Sequence, residues 1–203
     1  MQESSPYGWL MLAGIAVSAF FWMRLARRDD RLLIVYVAAL VGAFLGALLG
    51  GYASVELAKR WVGYRSVTGD WFAMIAPLGI ILGRVGCWLH GCCLGSACEP
   101  AWFTVRDAKG LERWPAVPVE ILFNVVMLIS FVALRRRGCL VRQHFHVYLI
   151  AYGVFRFAHE FFRDTPRVVA GLSGYQFITL ALVGFGIWAF RRRAMIRLPL
   201  DGR

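Results

Sequence analysis

Six long apolar runs dominate this sequence and constrain its fold more than any other feature. They cover residues 9–23, 32–58, 71–90, 118–134, 147–162 and 175–190. A helix needs about 20 mostly apolar residues to cross the ~30 Å hydrocarbon core of a bilayer. We therefore predict an all-α fold, a polytopic membrane helix bundle of about 5–7 helices that forms a single integral membrane domain over residues 1–203.

Composition excludes a soluble protein. Hydrophobic residues make up 59% of the chain and charged residues 17%, whereas soluble domains have roughly 45–50% and ~25% of these classes. The net charge of +11 would suit a nucleic-acid partner, but the basic residues flank apolar runs instead of lining a soluble face. Such flanking clusters mark the cytoplasmic side of a membrane protein and suit anionic lipid headgroups. We expect no nucleic acid to bind.

The basic clusters also predict the topology. They lie at residues 24–31, 59–65, 135–142 and 191–203. All four lie on the cytoplasmic side only if the run at 32–58 enters and leaves the membrane by one face. That run is rich in glycine, which lets helices break and pack closely, so we predict a short helical hairpin there. A single tilted crossing is the alternative. The hairpin topology makes residues 91–117 a small external head region.

Three charged residues inside apolar runs indicate a functional site, because charge within a bilayer is costly. Arg156 and Glu160 are four residues apart and share one helix face. Arg84 has no acidic neighbour within helical reach, so its partner is Glu160, Glu120 or an anionic ligand. Two guanidiniums that face one cavity repel each other unless an anion lies between them, and a guanidinium matches phosphate oxygens two at a time. We predict a phospholipid headgroup site; an ion pair that only stabilises the bundle is the alternative for Arg156 and Glu160.

Two stretches of the chain carry a family resemblance. Residues 83–95 read Gly-Arg-Val-Gly-Cys-Trp-Leu-His-Gly-Cys-Cys-Leu-Gly, and their spacing resembles the Gly-Arg-x-Gly-Asn-x-x-Asn-Gly-Glu-x-x-Gly signature of bacterial prolipoprotein diacylglyceryl transferases. Residues 152–163 read Tyr-Gly-Val-Phe-Arg-Phe-Ala-His-Glu-Phe-Phe-Arg and resemble that family's Tyr-Gly-x-x-Arg-Phe-x-x-Glu-Phe-x-Arg. Shorter matches at residues 7–8, 118–120 and 172–176 follow in family order.

The resemblance implies a transferase of lipoprotein biosynthesis in the bacterial inner membrane, with its active site toward the outer leaflet. Family members move a diacylglyceryl group from phosphatidylglycerol to a lipobox cysteine thiol and release glycerol phosphate. The expected partners are therefore phosphatidylglycerol, or a similar anionic phospholipid, and a thiol-bearing acceptor. We expect no cofactor and no metal.

The resemblance also implies roles for individual residues. Arg84 and Arg156 would stabilise the phosphate leaving group, and Glu160 would orient Arg156. Gln176 would contact the headgroup, although a hydrogen bond at a helix start is the alternative for this residue. The other expected substrate-binding residues are Gly83, Gly86, Gly91, Gly95, Glu120 and Arg163.

The chain departs from the family signature at positions that bear on the acceptor. Cys87 and His90 replace the two signature asparagines, and Cys92 replaces the signature glutamate. Leu45 stands where the family has the histidine of a His-Gly-Gly stretch. The lipid half of the site is thus kept and the thiol-activating half is rebuilt, so the acceptor is left open. We predict that His90 is the catalytic base, ahead of His159.

Four cysteines lie close to His90 in the sequence: Cys87, Cys92, Cys93 and Cys98. Three interpretations are open. A disulfide from Cys92 or Cys93 to Cys98 would staple the outer loop; a metal site would use the cysteines with His90, although the paired Cys-x2-Cys arms of ordinary zinc sites are missing; a reactive thiol would be activated by Arg84. The alternative function is accordingly a membrane thiol-redox or metal-binding protein on the same scaffold, without lipid transfer.

Overall fold

The computed structural model describes residues 52–64 and 68–195, together with the single positions 16, 20, 34 and 50. The chain divides into two units, Val17–Thr68 and a larger unit that contains Gly69–Arg203. In the smaller unit, residues 52–62 form helix α1. The rest of the predicted hairpin at 32–58 lies outside the described residues except for positions 34 and 50. The run at 9–23, apart from positions 16 and 20, Leu45 and the match at residues 7–8 also lie outside them.

In the described part of the larger unit, four helices confirm the predicted all-α bundle. They are α2 (Gly69–Leu89), α3 (Ala116–Arg136), α4 (His144–His159) and α5 (Gly174–Met195). A short 3₁₀ turn, Glu160–Phe162, extends α4. Helix α2 packs against α3 and α4, and α4 packs against α5. Among the described residues, α2 and α3 are each long and apolar enough to cross a membrane.

Helix α3 shows why this bundle suits a bilayer. Leu122, Val126 and Ile129 follow a four- and three-residue spacing that puts them on one helix face, and each is at least half exposed. The fully buried Glu120 and Asn124 lie on the same helix and face other parts of the protein. Apolar residues outside and polar residues inside are the arrangement expected for a helix in lipid.

The contact between α4 and α5 depends on a glycine. A Cβ added at Gly153 would lie 2.6 Å from Val183 Cγ2 and 3.2 Å from the Thr179 carbonyl oxygen. We expect Gly153→Ala to lower the free energy of unfolding by about 1–3 kcal/mol, because a well-packed contact must open. Chemical unfolding in detergent micelles measures this change. Gly184→Ala is the matched control, because a Cβ there meets no described atom within 4 Å; equal losses in both variants would contradict the close packing.

The head region contains a β-hairpin, which the sequence analysis did not predict. Strands β1 (Val105–Arg106) and β2 (Glu112–Arg113) pair antiparallel. The segment before the hairpin docks onto the 3₁₀ turn after α4, where the Ser96 amide donates to the Phe162 carbonyl at 2.9 Å. Trp114 stacks on the Phe162 ring with centroids 4.7 Å apart. The head is therefore fixed to the end of α4 through backbone and ring contacts.

Polar contacts show which helix ends meet. Arg84 near the end of α2 pairs with Glu120 near the start of α3, and Glu160 after α4 accepts a hydrogen bond from Ser173 just before α5. At the opposite end of the bundle, the Asp70 carboxylate accepts from the His144 amide. The ends that carry the predicted site residues thus lie together, on the side of the head region.

Candidate active site: an arginine–carboxylate cluster

Arg84 finds its partner on the neighbouring helix. Its Nε lies 2.9 Å from Glu120 Oε2, and the Glu120 side chain is fully buried. Of the three partners that the sequence left open for Arg84, the structure contains the ion pair with Glu120. Burial of an isolated carboxylate is very costly, so Glu120 needs the Arg84 charge beside it. The ion pair therefore keeps the Arg84 guanidinium in one place.

Arg156 and Glu160 form the predicted pair within one helical turn. Arg156 Nη1 lies 2.9 Å from Glu160 Oε2, and both side chains are almost fully buried. The other carboxylate oxygen of Glu160 accepts hydrogen bonds from the hydroxyls of Thr165 at 2.8 Å and Ser173 at 3.2 Å. These two bonds fix Glu160, which in turn positions Arg156.

Arg163 lies between the two pairs and joins them into one cluster. Its Nη1 is 3.9 Å from Glu120 Oε2, and its Nε is 3.8 Å from Glu160 Oε2. The described residues thus bring three guanidiniums against two carboxylates: Arg84, Arg156 and Arg163 against Glu120 and Glu160. The three arginines and two carboxylates leave one net positive charge in a largely buried place. An anionic ligand would compensate this charge and is therefore favoured.

Several donors in this cluster are not used in hydrogen bonds. Arg156 Nη1 and both Nε and Nη1 of Arg163 are buried and have no hydrogen-bond partner among the described residues. These nitrogens lie close to the carboxylates, but they are not aligned with them as hydrogen bonds require. Oε2 of Glu120 and Oε2 of Glu160 likewise have no hydrogen-bond partner among the described residues. Because buried polar groups are nearly always hydrogen-bonded, both donors and acceptors of this cluster are suited to contact a polar ligand.

Tyr152 is part of this cluster, a role that was not predicted from the sequence. Its hydroxyl donates to Glu120 Oε1 at 2.9 Å. One turn below, the Tyr148 hydroxyl donates to Asn124 at 2.8 Å, and the Asn124 amide donates to the Glu120 carbonyl. The spacing of Tyr152 and Arg156, four residues apart on one helix face, is the pattern that could have identified it.

Gln176 is fully buried, and internal hydrogen bonds use its amide. Its Oε1 accepts from the Ser173 amide at 2.8 Å and from Arg167 at 3.2 Å, while its Nε2 donates to the Phe157 carbonyl at 3.3 Å. The helix-start bond that was the alternative for Gln176 is therefore present. Its contact with a headgroup stays a prediction.

The two histidines near the site differ in environment. His90 follows the end of α2 and is exposed. His159 is buried, stacks on Phe155 with centroids 5.0 Å apart, and has no hydrogen-bond partner on either ring nitrogen among the described residues. His159 also lies within electrostatic range of the arginine–carboxylate cluster, where Glu120 acts on it most strongly, followed by the three arginines. The catalytic role of His90 stays a prediction.

The glycines of the signature stretch serve different local needs. Gly91 has a φ of +66°, a left-handed conformation that favours glycine. At Gly95 an added Cβ would collide with the Trp114 carbonyl, so only glycine lets the head approach there. Gly86 is buried in α2, and Gly83 has open space around it. Substrate binding by these four glycines stays a prediction.

Three of the four clustered cysteines converge. The sulfurs of Cys87, Cys92 and Cys93 all lie within 4.8 Å of one another, and all described cysteines are free thiols. The disulfide considered for Cys92 or Cys93 with Cys98 is not formed. Cys98 belongs to the head instead, where its amide bonds to the Glu112 carbonyl.

The thiols of Cys92 and Cys93 differ in acidity. Burial and hydrogen bonding with Cys87 and Cys93 raise the pKa of Cys92. Burial also acts to raise the pKa of Cys93, but hydrogen bonds with Cys92 and Cys87 and the nearby charge of Arg84 outweigh it and lower that pKa. Cys93 is therefore the more readily ionised of the two.

Comparisons with known proteins agree with the motifs. The sequence pattern of the prolipoprotein diacylglyceryl transferase family matches residues 38–192. A phosphatidylglycerol–prolipoprotein diacylglyceryl transferase of Idiomarina loihiensis is 30% identical over 179 residues, which cover 84% of this chain and 66% of the relative. The enzyme of that name from Methylibium petroleiphilum is 32% identical over 167 residues, which cover 74% of this chain and 62% of the relative. The chain thus spans a little under two thirds of the length of these curated relatives.

Proposed function

Because the chain belongs to the prolipoprotein diacylglyceryl transferase family, we propose that it transfers a diacylglyceryl group from phosphatidylglycerol to a thiol, either a prolipoprotein cysteine or a related acceptor. The observation that carries this proposal is the buried cluster in which Arg84, Arg156 and Arg163 outnumber Glu120 and Glu160. A site of this charge and donor content suits the phosphate of an anionic lipid.

The transfer reaction depends mainly on stabilising the phosphate that leaves. The acceptor thiol loses its proton, and its sulfur attacks the glycerol carbon bound to the phosphate ester oxygen. A carbon–sulfur bond forms while the carbon–oxygen bond breaks, and its electron pair leaves with glycerol phosphate. The phosphate gains a second negative charge in this step. Guanidiniums that are already in place stabilise that charge without reorganising.

The carboxylates explain how the arginines stay in place before lipid binds. Glu120 holds Arg84, and Glu160 holds Arg156, each at 2.9 Å. When phosphate enters, each guanidinium has several N–H groups to offer, so one arginine donates to its carboxylate and to the lipid together. Glu120 and Glu160 are thus positioning residues in this proposal, and Arg84 and Arg156 contact the leaving phosphate.

The placement of charge supports a site toward the outer leaflet of the bacterial inner membrane. Arg135 and Arg136 end α3, and Arg192 and Arg193 lie in the last turn of α5. These helix ends are opposite to the ends that carry the arginine–carboxylate cluster. Since basic residues accumulate on the cytoplasmic side, the cluster faces the other side, where lipoprotein precursors are exposed after export.

The acceptor half of the proposed site involves the segment that follows α2. His90 follows α2 only six residues after Arg84 and stands at the exposed end of the helix. A neutral imidazole takes a proton near neutral pH, so His90 is our proposed base for the acceptor thiol. An acceptor that approaches from the aqueous side would reach His90 before it reaches the buried arginines.

A transfer assay tests the reaction class. The purified chain in nanodiscs is incubated with phosphatidylglycerol, labelled in its headgroup glycerol, and a synthetic lipobox peptide. We expect the peptide to gain the mass of one diacylglyceryl unit and labelled glycerol phosphate to be released in equal amount. The same peptide with serine in place of cysteine is the control and should gain no mass. Absence of glycerol phosphate release with this and other thiol peptides would contradict the proposed function.

A further inference from the structure

We propose that Cys87, Cys92 and Cys93 form a binding site for one soft divalent metal ion of the zinc type. The site lies where α2 ends, next to the arginine–carboxylate cluster but outside the residues to which the lipid phosphate was assigned. The inference departs from the sequence-based expectation of no metal. It rests on the cysteine geometry and does not depend on lipid transfer.

The spacing of the three sulfurs fits metal coordination. Zinc binds thiolate sulfur at about 2.3 Å, so two sulfurs on one tetrahedral ion are about 3.8 Å apart. The sulfurs of Cys87, Cys92 and Cys93 already lie within 4.8 Å of one another. The separations therefore exceed those of a bound ion by about 1 Å at most.

The backbone is shaped to bring these thiols together. The Cys92 amide donates to the Cys87 carbonyl at 3.0 Å and turns the chain back over the last turn of α2. Cys93 has a φ of +61°, a left-handed conformation that is unfavourable for a residue with a side chain. A cysteine held in this strained conformation, with its sulfur beside two others, indicates a selected position for the thiol.

The convergence of three thiols favours a metal over a disulfide. A disulfide uses two sulfurs and gives no reason for a third to lie beside them, whereas a soft metal ion uses all three. Three thiolates around a divalent ion carry one net negative charge, which suits a place beside an excess of guanidiniums.

The ligand count also predicts an open position. The described residues supply three thiols within coordination range, and His90 and Cys98 are outside that group. A tetrahedral ion has four positions, and protein sites with three ligands leave the fourth to water or to a bound molecule. Cys92 and Cys93 are only partly buried, so an ion reaches the site from solution.

Metal loading of the whole chain tests the proposal. The purified chain, reduced with a phosphine and free of metal, is mixed with Zn²⁺ alone, or with Co²⁺ as a coloured probe. We expect one retained ion per chain and a cobalt spectrum with thiolate-to-metal charge transfer. Zinc should also protect three of the five cysteines from a thiol reagent, a readout that needs no variant.

Substitutions then assign the ligands. We expect zinc binding to weaken by at least about 100-fold in each of the variants Cys87→Ser, Cys92→Ser and Cys93→Ser. Loss of a residue that only hydrogen-bonds to a metal-binding side chain typically weakens binding by about 10- to 100-fold. Cys139→Ser, an exposed thiol on the opposite side of the bundle, is the matched control and should bind zinc normally. The proposal fails if the reduced chain retains no metal, if zinc protects no thiols, or if Cys139→Ser loses as much affinity as the other three.

Discussion

Arg156→Ala is expected to lower turnover of phosphatidylglycerol by about 100- to 1,000-fold, the range seen when one preorganised donor to a developing negative charge is removed. The protein should remain folded, because Glu160 keeps its hydrogen bonds from Thr165 and Ser173. It also stays close to Arg163.

Arg84→Ala should lower turnover by a factor of the same order. This variant should also remain folded, because Glu120 keeps the hydrogen bond from Tyr152 and stays close to Arg163.

The assay of glycerol phosphate release measures this prediction, and two further variants sharpen it. Arg156→Lys keeps the charge but loses the planar fork, so we expect a loss smaller than that of Arg156→Ala. Arg137→Ala removes an exposed arginine at the opposite end of the bundle and should keep normal turnover. Near-normal activity of Arg84→Ala or Arg156→Ala, in protein that elutes as a single folded species, would contradict the assigned role.

Glu120→Ala is expected to have the largest effect on stability, a loss of about 3–5 kcal/mol in the free energy of unfolding. Glu120 is fully buried and compensates Arg84 and Arg163, while it accepts the Tyr152 hydroxyl. Its removal leaves the mostly buried Arg84 guanidinium and the Tyr152 hydroxyl without their partner, and leaves Arg163 near Glu160 alone. Titration with a denaturing detergent from mixed micelles, followed by helical circular dichroism, measures the change.

Two comparisons separate charge from packing in this prediction. Glu120→Gln keeps the volume and an acceptor for Tyr152 but removes the charge, so most of the loss should persist. Glu99→Ala removes an exposed carboxylate in the head region and should change stability by less than about 0.5 kcal/mol. If Glu120→Ala falls within that same small range, the carboxylate does not compensate the arginines as described.

The parts of the fold that the sequence predicts are those set by local pattern. Apolar runs predicted α2, α3, α4 and α5 to within a few residues, because lipid imposes continuous apolar helices. The contact between Arg156 and Glu160 followed from their spacing on one helix. Arg84 had three possible partners, because helix spacing says nothing of which neighbouring helix supplies the carboxylate.

The parts that the sequence did not predict depend on contacts between distant segments. Arg163 follows the 3₁₀ turn after α4 and lies near both Glu160 and Glu120, and the proximity to Glu120 joins distant parts of the chain. The head hairpin has strands of two residues each, too short to produce an alternating pattern. Of the three interpretations left open for the cysteines, the disulfide to Cys98 is not formed, since Cys98 joins the hairpin while Cys93 turns back toward Cys87.

The position of the lipid phosphate is the most direct test of the central claim. An experimental structure of the chain in phosphatidylglycerol nanodiscs measures the distances from the phosphate oxygens to the two guanidiniums. We predict that the phosphate lies within about 2.7–3.2 Å of nitrogens on both Arg84 and Arg156. A phosphate bound elsewhere, with both arginines still paired only to Glu120 and Glu160 at saturating lipid, would contradict the account.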